Sequence, residues 1–202
     1  MGRKRRSFGR KLGHRRYRKI YVIATEGACT EPQYFNMFNG PEATILVECL
    51  RAKNQSASEQ VLKRMKQRLA AERLQKQDEA WLVVDKDSWD DNQLQKLYQW
   101  STGDMRYGLA VSTPAFEYWL LLHFEDGKGV ANLRECRDRL KSHLPQFDKS
   151  HVEVHKLENG TRDAIRRAKM RDQTGKQKWP NTCGSTVYRL VELLVADEFH
   201  HE

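Results

Sequence analysis

Short apolar runs that alternate with stretches of helical periodicity constrain this chain more than any other feature. Residues 20–24, 44–47, 80–84 and 107–111 are strand-length runs of β-branched, aromatic and other apolar side chains. Between them the apolar positions recur at helical spacing. Thr30-Glu31-Pro32 supplies a helix start, with Thr30 as candidate N-cap, Pro32 in the first turn, and Tyr34, Phe35 and Phe38 on one face. From Ser56 or Ser58 to about residue 77, Val61, Leu62, Met65, Leu69 and Leu74 form one apolar stripe. Residues 91–101 repeat the pattern with Leu94, Leu97 and Tyr98, and 116–124 is apolar nearly all round. This βαβαβαβα order predicts a four-stranded parallel sheet with helices on both faces. Ala80-Trp81-Leu82-Val83-Val84, continuous in its apolar character, suits a parallel strand covered on both sides.

The core is expected over 20–126. Beyond it the pattern turns to helices only, near 130–144, 160–172 and 184–197, so 127–202 reads as a helical extension packed on the sheet. Residues 152–154 make one short β-like run there. With 202 residues the chain has room for one domain of good size, and 39% hydrophobic residues support a folded core. No stretch approaches the roughly 20 apolar residues that span a bilayer, and no apolar run of about 7–15 residues follows the basic start as a secretory signal requires. Cys29, Cys49, Cys136 and Cys183 are far apart, which indicates neither a zinc site nor a disulfide framework. A reducing cytoplasm is the simplest home.

The net charge of +9 is concentrated in one place. Ten of the 36 Lys and Arg residues lie in 1–19, with no acid among them, and the rest of the chain carries 26 bases against 27 acids. Arg3, Lys4, Arg5, Arg6, Arg10, Lys11, Arg15, Arg16 and Arg18 therefore read as a flexible arm that binds nucleic acid, with Phe8 and Tyr17 available to stack on bases. A solubilising tail or a contact with an acidic protein explains the same charge.

In an open α/β sheet the ligand site forms outside the carboxyl ends of the strands. Here the first strand ends in Glu26-Gly27, where glycine permits a sharp turn, and the third in Asp85-Lys86-Asp87; the fourth leads to Glu117. Asp85 and Asp87, one residue apart, share a side if the segment is extended. Carboxylates so placed repel one another, and a divalent cation removes the conflict. Mg²⁺, with Mn²⁺ as substitute, prefers hard oxygen ligands and is commonly held by one or two carboxylates plus substrate phosphate. Glu26, Asp85 and Asp87 are the expected metal set, with Glu26 also placed to take a proton from an attacking water and Lys86 to stabilise transition-state charge. Each motif alone is common in capping and turn sequences.

The layout strand, Glu-Gly, helix, later strand, Asp-x-Asp resembles the Toprim domain of topoisomerases, primases and nucleases. More narrowly, the block from Glu26 to Phe35, Val84-Asp85-Lys86-Asp87, and the block from Ser112 to Phe124 resemble the RloB family of bacterial abortive-infection proteins. The resemblance implies a Toprim-like catalytic core with Glu26, Asp85 and Asp87 as its acidic set, a role in phage defence, and a separately encoded ATPase partner. Strand passage is disfavoured, because the chain has no obvious place for a cleavage domain with a nucleophilic tyrosine.

Other residues carry two readings each. Glu117 is a fourth acid of the site, or a cap or buried ion-pair partner. His123 fits a satisfied core histidine better than a catalytic one. Lys156, next to His155, is a phosphate contact or a solvated lysine. Arg162, Arg166, Arg167, Lys169 and Arg171 extend a nucleic-acid track or line a plain charged face. Trp89 stacks on a base or packs on the next helix. Three function classes remain open: a metal-dependent nuclease on DNA or RNA, transfer RNA included; a non-hydrolytic module that binds nucleic acid or tethers an ATPase; and, without a recognisable priming element, nucleotidyl transfer.

Overall fold

In the computed structural model, residues 19–52, 59–148, 150–172 and 178–198 are described. Arg3, Lys4, Arg5, Arg6, Arg10, Lys11, Arg15, Arg16 and Arg18 of the basic arm lie outside them, as does the expected helix start at Ser56 or Ser58. Lys19, the last base of the expected arm, belongs to the first strand.

The strands are β1 (Lys19–Thr25), β2 (Ile45–Leu50), β3 (Glu79–Asp85), β4 (Tyr107–Thr113) and β5 (Gly184–Ser185). They form one sheet in the order β2-β1-β3-β4-β5. The first four are parallel, as the alternating sequence pattern requires. The fifth is a correction: two residues of the supposedly all-helical tail pair antiparallel with Ser112 and Thr113. Thr186 fixes that edge, its Oγ1 accepting from the Val111 N–H at 2.9 Å.

Among the described residues, seven α-helices accompany the strands: α1 (Thr30–Asn36), α2 (Glu59–Ala71), α3 (Asp91–Ser101), α4 (Phe116–Leu121), α5 (Leu133–His143), α6 (Thr161–Arg171) and α7 (Val187–Glu198). Alternate strand residues feed two cores, because successive side chains on a strand point to opposite faces. Val22, Ala24, Leu82, Val84 and Val111 join Val61 and Met65 of α2 and Leu94 and Leu97 of α3 on one face. Tyr21, Ile23, Trp81, Val83 and Ala110 join residues of α1, α4, α5, α6 and α7 on the other. All six residues of α4 are buried, which matches its apolar sequence.

Local details differ from expectation in three places. Cys29, with no side-chain cap bond, precedes α1, and Thr30 is its first residue, so the cap prediction misses by one position. The Val152 run is no strand: a 3-10 turn spans Val154–Lys156. The bases of α6 are largely braces within the protein: Arg166 pairs with Asp163, Arg167 donates to the Leu122 carbonyl, Lys169 pairs with Glu192 and Arg171 donates to the Asp126 carbonyl. Lys19 is likewise structural, its ammonium lying 2.6 Å from Glu79 and 3.0 Å from Asp197. Among the described residues no helix is long and apolar enough to cross a membrane. All four cysteines are free.

Candidate active site

The parallel pairing of β1, β3 and β4 brings their carboxyl ends to one edge, where Thr25 lies opposite Val83 and Asp85 opposite Ser112. Glu26 continues from β1, its backbone N–H bonding the Val83 carbonyl at 3.1 Å. Its carboxylate is held from β3: Oε2 accepts the Asp85 N–H at 3.2 Å and the Trp89 indole N–H at 2.8 Å. Two residues 59 apart in sequence thus meet in direct contact. Trp89 packs into the α2/α3 core, the second of its two readings, and also orients the acid.

Asp87 lies on the turn just beyond them. The backbone leaves β3 extended at Asp85 and then tightens into a 3-10 turn over Lys86–Ser88. An extended segment would have placed Asp85 and Asp87 on one side; the turn carries Asp87 out to an exposed position. Its charge is felt instead by Cys183, whose thiol is pushed up chiefly by burial and is held down in part by Arg171. Lys86 lies 4.0 Å from Asp91, a long contact with an exposed partner.

Beside Glu26 and Asp85 the fold also places Glu31, which the sequence offered only as an acid in a helix first turn. Glu31 is buried at 4% exposure, and Oε1 accepts the Gly27 N–H at 2.8 Å. Burial raises its carboxyl above the ordinary range; its own N–H and that of Gly27 oppose this, and the charges of Glu117 and Glu26 add to it. The Gly27 Cα lies against this carboxylate so closely that a Cβ there would stand 2.1 Å from Glu31 Oε2. Gly27 is thus required for close approach rather than for a left-handed turn, since among the described residues the positive-φ glycines are Gly127 and Gly129. The spacing Glu-Gly-x-x-x-Glu was the only signal of this contact in the sequence.

Asp85 sits at the centre of the group. Burial pushes its carboxyl well above the usual carboxylate range, the charges of Glu31, Glu117 and Glu26 push it the same way, and the Phe116 N–H draws it back. Glu117 reaches this neighbourhood from the first turn of α4, and Arg137 of α5 grips its Oε1 at 2.9 Å through Nε and 2.7 Å through Nη2. It is a buried ion-pair partner that also adds to the acidic field. On the opposite side of the sheet, Arg64 of α2 reaches the end of β1, where Nη2 donates to the Thr25 carbonyl at 2.5 Å.

Two other candidates lie in separate environments. His123 is a core histidine: its Nε2 meets the Tyr34 hydroxyl at 3.1 Å and its Nδ1 the Trp119 carbonyl at 3.1 Å. Burial lowers it to about 4, so it is neutral at pH 7. Lys156 is engaged by the buried Glu153 at 2.5 Å.

The donors gathered at this edge are hard carboxylate oxygens, the ligands Mg²⁺ prefers, and the crowded Asp85 carboxyl is the kind of group a cation would relieve. Among the described residues, no three Asp, Glu, His or Cys side chains lie in metal-holding geometry. One or two carboxylates suffice for Mg²⁺ when water and substrate phosphate complete the octahedron, so the residues fit an ion shared with substrate rather than an all-protein cage. A family model described as RloB-like protein matches residues 21–194. No curated protein and no solved structure matches the chain.

Proposed function

We propose, for a chain that belongs to the RloB-like protein family, that the carboxyl edge of its sheet is a Toprim-type, Mg²⁺-dependent site that hydrolyses phosphodiester bonds of nucleic acid. The single observation that carries this reading is the meeting of Glu26 and Asp85 beside Glu31 and Glu117 at the strand ends. Asp85 and Glu26 would hold the ion, and Glu31 and Glu117 would deepen the negative field around it. Bound there, Mg²⁺ or Mn²⁺ supplies charge stabilisation at the phosphoryl oxygens and orients an attacking water. Glu26 is suited to take a proton from that water, because two N–H donors fix Oε2 while Oε1 accepts no hydrogen bond from the described residues. The basic arm would hold the substrate strand. By its family resemblance the protein acts in phage defence in the cytoplasm with a separately encoded ATPase.

A second reading is favoured by the lack of a ready three-ligand cage among the described residues. In it the fold binds nucleic acid or tethers the ATPase without hydrolysis. One experiment separates the two. The protein and its candidate ATPase are incubated with labelled duplex DNA, single strands and transfer RNA, with and without Mg²⁺ or Mn²⁺. Metal-dependent cleavage is expected, abolished by Glu26→Gln and by Asp85→Asn with binding retained. If either variant protects cells from phage as well as the parent does, the hydrolytic reading falls.

A further inference from the structure

Among the described residues, Arg64 is a cation without an ion-pair partner. Among the described residues, the partly buried arginines Arg68, Arg106, Arg137, Arg139, Arg167 and Arg189 each sit on a carboxylate, and Arg171 bonds the Asp126 carbonyl through its Nε. Arg64, also partly buried, has no acid within ion-pair distance among the described residues. Of its five N–H donors, one group is used, Nη2 on the Thr25 carbonyl. Its Nε is buried and has no partner among the described residues. Nη1 is neither buried nor bonded among the described residues, so it is the part of the guanidinium that can meet an anion.

The position says which ligand. The carbonyl that Arg64 touches belongs to the residue before Glu26, so the guanidinium stands at the same strand end as the proposed metal acids. An acidic centre repels a phosphodiester unless cations offset it. A guanidinium presents donors in a planar fork that matches phosphate oxygens, and it stays charged at any working pH. The neighbouring Val61 and Met65 are buried in the core, so the α2 backbone that carries Arg64 is held rigidly against the sheet.

We propose that Arg64 is the phosphate contact of this site, gripping a backbone oxygen of the nucleic-acid strand next to Glu26. The proposal rests on the reading of the edge as a nucleic-acid site, and it is tested without requiring hydrolysis.

Binding of a labelled single-stranded oligonucleotide to the full chain is measured in Ca²⁺ by anisotropy over a range of salt. Each phosphate contact on a single strand contributes about 0.7 to the slope of log K against log salt. Arg64→Gln is expected to lower that slope by about 0.7 and to weaken binding several-fold at low salt, while Arg64→Lys, which keeps the point charge, retains the slope. Thermal melting of both variants provides the control, since a purely structural brace on the Thr25 carbonyl would lower the melting temperature and leave the slope alone. An unchanged slope in Arg64→Gln overturns the proposal, as does failure of the parent to bind the strand. If cleavage depends on Glu26 and Asp85 while the slope ignores Arg64, the contact is wrong and the hydrolytic reading stands. A slope that follows Arg64 in a protein that never cleaves supports the contact and removes the hydrolysis.

Discussion

Replacing Gly27 by alanine tests the packing that builds the acidic edge. The new Cβ would lie 2.1 Å from Glu31 Oε2 and 2.7 Å from both Cδ and Oε1, where ordinary contact begins at 3.4 Å. The carboxylate must therefore retreat by about 1.3 Å. Glu31 has little room to do so, because it is 4% exposed and anchored in the first turn of α1. Its 2.8 Å bond to the Gly27 N–H is lost in the process. A hydrogen bond to a charged acceptor contributes about 1.5–3 kcal/mol, and a chain of this size shifts its melting temperature by about 2–4 °C per kcal/mol. Gly27→Ala is thus expected to lower the melting temperature by roughly 3–12 °C. In a Glu31→Ala background the obstacle is gone and the same change should cost less than about 0.5 kcal/mol, an effect typical of an unobstructed site. Urea unfolding of the four proteins measures the coupling, expected at about 1 kcal/mol or more. Equal costs of Gly27→Ala in the two backgrounds would refute the crowding by Glu31.

Two further predictions concern pH. Asp85 is raised in the folded state, so its contribution to stability is present below the unfolded carboxylate value of 3.8 and is lost as pH rises towards the folded value. Asp85→Asn should therefore melt higher than the parent at pH 7.5, with the gap narrowing as pH falls to 4; a gap independent of pH would mean that Asp85 is not strained by its neighbours. His123 has the opposite sign. Its folded value of about 4 lies below the unfolded 6.5, so stability present above pH 6.5 is lost as pH falls towards 4. The full effect is on the order of 3 kcal/mol. Melting curves from pH 7 to 4.5 should show a smaller decline in His123→Gln than in the parent, and identical declines would contradict a buried neutral imidazole.

The alternation of apolar runs and helical stripes determined most of the sheet, because side-chain period is a local property that each segment carries without its neighbours. The ends of β1 and β3 were legible for the same reason: the apolar runs stop at Glu26 and Asp85, and parallel pairing then sets the two stops side by side. The tertiary structure decided which side chains stand at that edge. The 3-10 turn carries Asp87 to an exposed position beyond Asp85, and Glu31 of α1 lies back on Gly27. Trp89 and Arg64 reach this edge from other elements, from positions 63 residues after Glu26 and 39 after Thr25, and no local pattern marks either. β5 escaped notice because two residues have no periodicity to read. Sequence spacing tells where a strand ends; which side chains meet there depends on how the flanking helices are rotated and packed, and the whole core fixes that.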